Sequence, residues 1–427
     1  MATAASTLQR PGRRVLDVVR VAAGNFLEMY DFMVFGYYAA AIGKAFFPTG
    51  NAFATLMLAL MTFGAGFLMR PIGALVLGAY TDRHGRRAGL ILSLSLMSVG
   101  ILTLALCPGY RTIGLLAPLI VVLGRLVQGF SAGVELGNVS VYLAEIAPEG
   151  RKGFYVSWQS ASQQVAVVTA AGIGAVLAGW LTPRQMGDWG WRVPLLIGCA
   201  IAPLLFLLRR SLKETEAFRA RAAPPSLRRV WRTLAGHWRA VLIGMALATM
   251  TTVSFYMITA YTPTFGGLLK LPAGQTLLVT ACVGASNLFW LPVMGAVSDR
   301  LGRRPVLIAC TLAALVTAYP AMSWLAAGPS FVRLLSVELW LSFVYASYNG
   351  AMVVFLTEII PAEVRATGFS LSYSLATAVF GGFTPAISTW LIEATGNHAM
   401  PGAWLSAAAL CGLIAAIVAR PGVSASP

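Results

Sequence analysis

Five side chains that water would ordinarily hold lie inside apolar stretches of the first half of this sequence: Glu28, Asp31, Arg70, Arg125 and Glu135. An ionisable group in such a stretch is expensive, so each one marks a functional hypothesis whose partner must be found. Asp31 and Arg125 both fall near the middle of their stretches and are the favoured pair. If the arginine turns toward an anionic ligand, the acid loses its counter-ion and picks up a proton. Ligand and proton are then coupled. Glu28 lies one helical turn before Asp31, and Glu135 lies between Arg125 and the following loop. Each reads either as a proton relay or as part of a gate. The second half holds only Glu338, toward an outer end, and Glu393, near a helix end. Proton and charge chemistry is therefore expected mainly in the first half.

An anionic ligand calls for cationic and neutral donors. The planar fork of arginine suits carboxylates, which puts Arg125 first and Arg70 second. Arg70 has the alternative task of bracing the adjoining loop. Arg192, inside "WGWR", either attracts anions at an entrance or anchors an interface. Neutral candidates are Asn25, Tyr37, Gln159, Gln163, Gln164, Tyr256, Asn287, Tyr345, Tyr348 and Asn349. Gln159 and Gln163 share a helix face at i, i+4. The three histidines form no catalytic triad or metal cluster with other residues, and no phosphate loop is complete. Neither an enzyme nor a cofactor, metal or ATP site is expected. The five cysteines stand singly and read as packing residues.

The elements that position these groups are membrane helices. Of 427 residues, 58% are hydrophobic and 11% charged, with a mean hydropathy of +0.75. Soluble domains carry about 25% charged residues. Stretches of about 20 apolar residues read as membrane spans. Such stretches lie at 22–43, 54–80, 88–107, 113–142, 154–181, 192–208, 240–262, 275–297, 305–326, 332–357, 367–392 and 402–419. The formal net charge of +16 would also fit nucleic acid, but its placement excludes that reading. Most lysines and arginines fall in alternate loops, at the N-terminus and in the polar segment 209–239. This asymmetry predicts that both termini and that segment are cytoplasmic.

Residues 209–239 divide the chain into two six-helix halves, 1–208 and 240–427. The halves echo each other. "GAYTDRHGRR" at 78–87 returns as "GAVSDRLGRR" at 295–304, and "VYLAEIAPEGRKG" at 141–153 resembles "VFLTEIIPAEVRATG" at 354–368. Asp82 and Asp299 each end a span, where a carboxylate opposes its own helix dipole. Each becomes sensible if it meets another helix's N-terminus or an arginine. The candidate partners are Arg86, Arg87, Glu145 and Arg151 for the first set, and Arg303, Glu358 and Arg365 for the second. Parallel duplicated transporters bind substrate near mid-membrane between the halves and rock around it.

The doubled Gly-x-x-x-Asp-Arg-x-Gly-Arg-Arg loop resembles the signature of the major facilitator superfamily. "GNFLEMYDFMVFGYY", "GRLVQGFSAGVELG", "WQSASQQ" and "WGWRVPLLIG" are similar to its metabolite:proton symporter branch. "LMRPIGA", "FYVSWQSASQQVA", "RRSLKETEAF" and "FGGFTPAIST" look like bacterial citrate–proton symporters and tricarballylate carriers. The resemblance implies a twelve-helix, all-α transporter in a bacterial inner membrane, importing a tricarboxylate with protons by alternating access and working as a monomer. It implies a span-1 acid opposite a span-4 arginine, and a cytoplasmic latch built from the repeated loops. The alternatives are a dicarboxylate such as 2-oxoglutarate, a zwitterion such as betaine or proline, or a non-transporting membrane sensor.

Overall fold

The computed structural model describes residues 25–84, 86–133, 135–210, 232, 235–360 and 365–419. The side chains of Asn25, Asp82, Arg86, Arg87 and Glu135, most of segment 209–239 and both termini lie outside the described residues.

Twelve spans run back and forth. Span 1 is Asn25–Tyr37 with Ala39–Phe46, and span 2 is Ala52–Leu68 with Arg70–His84. Span 3 is Arg86–Leu106, and span 4 is Leu116–Ser131 with Glu135–Ile146. Spans 5 and 6 are Lys152–Trp180 and Arg192–Arg210. Span 7 covers Trp238–Leu268, span 8 Ala273–Leu301, span 9 Arg303–Ala327 and span 10 Phe331–Ile359. Span 11 covers Arg365–Thr395 and span 12 Met400–Val418. Spans 1 and 7, which occupy matching places in the two halves, are both interrupted: span 1 at Tyr38, span 7 by a π-turn at Met257–Tyr261. Paired interruptions of this kind point to where a duplicated transporter binds its cargo.

Small residues bring the halves together, because close helix approach in lipid depends on packing rather than on a hydrophobic drive. A Cβ on Gly295 of span 8 would stand 2.5 Å from the Gly153 carbonyl oxygen of span 5. A Cβ on Gly36 of span 1 would stand 3.1 Å from the Ala260 carbonyl oxygen of span 7. The first contact lies at the face carrying the repeated loops, here the basic face. The second lies toward the opposite face. Spans 2 and 11 close between these points, where Gly64 meets the Phe383 ring and Gly382 meets the Phe67 ring.

The second decapeptide shows what its letters do. Gly295 permits the approach to span 5. Gly302, at φ +87°, turns span 8 into span 9 through one residue in the left-handed region that favours glycine. Arg304 donates Nε to the Ala416 carbonyl at 2.9 Å and Nη2 to the Ile417 carbonyl, closing the C-terminus of span 12. Asp299 and Arg303 form the latch described next.

Candidate functional site: a buried two-arginine cluster and a cross-half latch

Span 1 places Glu28, Asp31, Phe32 and Phe35 within two turns. Two arginines from different helices meet them. Arg125 of span 4 donates Nη1 to Asp31 Oδ2 at 3.0 Å and to Gln128 Oε1, one turn along its own helix, at 2.7 Å. Arg70 of span 2 donates Nη2 to Glu28 Oε1 at 2.6 Å. Both guanidinium groups are 1% exposed, Asp31 is 1% and Glu28 7%, so all four charges are enclosed by protein. Aromatic rings supply the walls. Arg125 lies 4.5 Å from the centroids of Phe32 and Phe35, and Arg70 lies 4.8 Å from Phe67 and 5.1 Å from Phe32. Such stacking is worth up to about 2 kcal/mol where water is excluded. Tyr256 of span 7 packs on Phe67 and Phe63 at 5.0 and 5.9 Å, so the second half borders the cluster.

The hydrogen bonding is incomplete. Arg125 Nε and Nη2, Arg70 Nε, Asp31 Oδ1 and Gln128 Nε2 are buried without a partner. Nε and Nη2 of Arg125 form one edge of the guanidinium fork, the edge that grips a carboxylate with two parallel bonds. Asp31 and Gln128 occupy the Nη1 corner and leave that edge open. Gln159 Nε2 and both amide atoms of Asn349 are also buried and unpartnered.

The expected Asp31–Arg125 pair is therefore present, and charge is concentrated in the first half as expected. Other expectations change. Arg70 does not brace the loop; it is paired with Glu28 in the interior. Arg192 stands apart from the cluster: its Nη2 donates to the Cys107 carbonyl at 3.0 Å, closing the C-terminal end of span 3, and its guanidinium lies 4.3 Å from the Trp191 ring. Tyr348 points into the second half, where its hydroxyl donates to the Leu247 carbonyl at 2.9 Å. Asn287 bridges the halves by donating Nδ2 to Gln164 Oε1 at 3.2 Å, while its Oδ1 accepts from Ser342 at 2.8 Å. Gln163 and Tyr37 are buried. Gln128 and the ring wall were not singled out from the sequence. Gln128 had a readable signal, its i+3 position after Arg125.

The basic face carries the latch. Asp299, at the end of span 8, accepts from the backbone N–H groups of Gly153 and Phe154 at 2.8 and 3.0 Å. A carboxylate from the second half thus caps the N-terminus of span 5 in the first half, a favourable charge–dipole arrangement. Arg303 holds that carboxylate at 2.6 Å and reaches Glu358 at 3.5 Å and Ser298 at 2.9 Å. Glu145 and Arg151 are exposed and form no ion pair with each other, and Arg365 pairs with neither Asp299 nor Glu358. Asp82 and Arg86 fall outside the described side chains.

A duplicated bundle with charges enclosed at the half interface and a latch on the repeated loops is a transporter's architecture, and comparison agrees. The sequence profile of the Major Facilitator Superfamily matches residues 21–373. The chain belongs to that superfamily. Among its facilitator relatives, a citrate–proton symporter of Klebsiella pneumoniae is 60% identical over 405 residues, covering 95% of this chain and 91% of the relative. An alpha-ketoglutarate permease of Escherichia coli K12 is 34% identical, covering 87% and 85%. Among solved structures, the E. coli xylose transporter in a partially occluded, inward-open conformation superimposes with a TM-score of 0.74 at 18% identity. That match covers 94% of this chain and 95% of the other. It establishes the facilitator fold for this chain.

Proposed function

We propose that this facilitator imports citrate together with protons across a bacterial inner membrane. The observation that carries the reading is the open Nε–Nη2 edge of Arg125, buried and set beside an acid that shares the same guanidinium. The 60% identity to a citrate–proton symporter names the carboxylate. Tricarballylate, with the same three carboxylates, is the second cargo.

Charge bookkeeping connects cargo and proton. Arg70 and Arg125 are balanced by Glu28 and Asp31, so the cluster is neutral before cargo enters. A citrate trianion placed there would be a large uncompensated buried charge, which is prohibitive. Protons on Asp31 and Glu28 release both arginines to the cargo and cut the uncompensated charge from three to one. Each acid therefore takes a proton as its arginine takes a carboxylate. Gln128, Gln159, Gln163, Asn349 and Tyr256 supply neutral groups around the cargo, with Asn25, Tyr37 and Asn287 at its margins. Glu135 relays protons or joins the gate.

Alternating access follows from the two closures. The Asp299–Arg303–Glu358 latch holds the basic face shut, and the Gly36–Ala260 approach holds the other. Each opens as the halves rock. With the basic face cytoplasmic, both termini and segment 209–239 lie inside, and one chain suffices for transport.

The test is labelled-citrate uptake into proteoliposomes, with and without an inward proton gradient, in competition with tricarballylate, 2-oxoglutarate and betaine. Gradient-driven uptake blocked by tricarballylate alone is the expected result. Blocking by 2-oxoglutarate or betaine alone, or no citrate uptake, would overturn the assignment of cargo.

A further inference from the structure

A third buried acid lies away from this cluster. Glu338 of span 10 is 3% exposed, and its Oε2 is buried without a partner. Its Oε1 lies 3.0 Å from the Thr262 hydroxyl. Thr262 directly follows the π-turn Met257–Tyr261 that interrupts span 7. The same hydroxyl lies 2.9 Å from the Ile258 carbonyl and 3.4 Å from the Met257 carbonyl.

A threonine hydroxyl has one hydrogen and can donate once. Both backbone contacts are carbonyl oxygens, which only accept. If the hydroxyl donates to Ile258, the short contact with Glu338 has a hydrogen only when the carboxyl itself is the donor. The surroundings agree. No cation pairs with Glu338 among the described residues. Arg333, one and a half turns earlier on span 10, is held by the Trp324 carbonyl at 3.0 Å. Tyr261 of span 7 is bonded to Thr389 of span 11 at 3.1 Å. From span 9, Tyr319 is bonded to Asn397 at 3.1 Å. Glu393 and Lys270 are exposed at the opposite face. An ionised carboxylate here would be buried and unmatched.

We infer that Glu338 carries a coupled proton of its own: in the closed state its carboxyl is neutral, and its contact with Thr262 ties span 10 to the break in span 7. That break includes Ala260, the residue that closes on Gly36 of span 1. Loss of the proton leaves an ionised carboxylate buried with no cation paired to it among the described residues, so the opposite face opens to water, whereas a neutral side chain permits closure without forcing it. The inference rests on the proton-symport reading above and adds a second-half acid to it.

The test uses the full chain in proteoliposomes, comparing wild type with Glu338→Gln, whose amide keeps a donor toward Thr262 at all pH values. Each coupled proton moved down one pH unit multiplies the accumulation ratio about tenfold. Glu338→Gln is expected to lower the citrate accumulation ratio at a one-unit gradient about tenfold, and to leave citrate counterflow near wild type. An unchanged accumulation ratio overturns the inference. Loss of citrate counterflow in wild type itself would fail the cargo reading instead. Should Glu338→Gln not fold, infrared spectra of wild type with carbon-13-labelled glutamate decide. A protonated glutamic acid band that shifts in Thr262→Val supports the inference, and no such band at neutral pH overturns it.

Discussion

Arg125 gives one corner of its guanidinium to Asp31, at 3.0 Å, and keeps its Nε–Nη2 edge open. The pair is therefore half of a binding site and half of a proton site, joined through one planar group. An ammonium has no such second edge.

Arg125→Lys is expected to cut citrate uptake by a hundredfold or more, about 3 kcal/mol, within the range for breaking a buried charge-assisted pair. The substitution keeps the charge and removes the fork. Initial rates in proteoliposomes check it, and uptake within threefold of wild type would remove Arg125 from the cargo site.

Asp31→Asn keeps the shape and much of the hydrogen bonding but cannot alternate between charged and neutral forms. The accumulation ratio at a one-unit pH gradient should fall about tenfold, while citrate exchange at equal pH survives. Full accumulation against a gradient by this variant would exclude Asp31 as a proton carrier.

Asp299→Asn weakens three contacts at once: two helix N-terminal N–H groups and Arg303. Charge-assisted bonds of this type are each worth about 1.5–3 kcal/mol. Even a fraction of that sum shifts a two-state population severalfold toward opening at the basic face. Labelling of a reporter cysteine on the basic-face end of span 5 by a reagent on that side should rise severalfold. No change in labelling would show that the latch does not hold the closed state.

Asn349 and Tyr348 are neighbours on span 10 but face different surroundings. Tyr348→Phe removes one bond to the Leu247 carbonyl and should cost about 1 kcal/mol of stability with transport intact. Asn349→Leu removes two unpartnered buried polar atoms. It should leave the melting temperature equal or higher and lower the citrate affinity. Thermal melting and competition binding on both variants separate the two roles. Reversed effects would exchange the residues' assignments.

Asp31 and Arg125 were each legible because both residues sit at mid-depth, and depth follows from counting along a helix; that they face each other was what the family resemblance implied. The latch was legible because a carboxylate at a helix C-terminus needs an outside partner, and the repeated loop named Arg303. Azimuth was harder to read. Successive residues on a helix differ by about 100°, so the sequence grouped Tyr348 with Asn349 although the two point apart. Arg70 was left between two readings for a related reason: its distance from the loop was countable, whereas its facing toward Glu28 depends on how spans 1 and 2 rotate against each other. The single-residue turn at Gly302 and the capping of span 12 by Arg304 depend on tertiary contacts that no local pattern records.

Gly36 offers a check on the closure of the opposite face. Its missing Cβ would stand 3.1 Å from the Ala260 carbonyl oxygen and 3.2 Å from the Ala260 side chain. Gly36→Leu places a branched side chain in that contact, so spans 1 and 7 can no longer meet there. A clash in one state of a two-state transporter removes that state without touching the other. The variant should stay open at the opposite face, bind citrate from that side and fail to release it through the basic face. In proteoliposomes this reads as retained citrate binding with uptake and counterflow both lost. Gly295→Leu, at the Gly153 contact, should give the mirror result: labelling on the basic face only. If both variants transport like wild type, the two glycine contacts do not form the closures of the cycle.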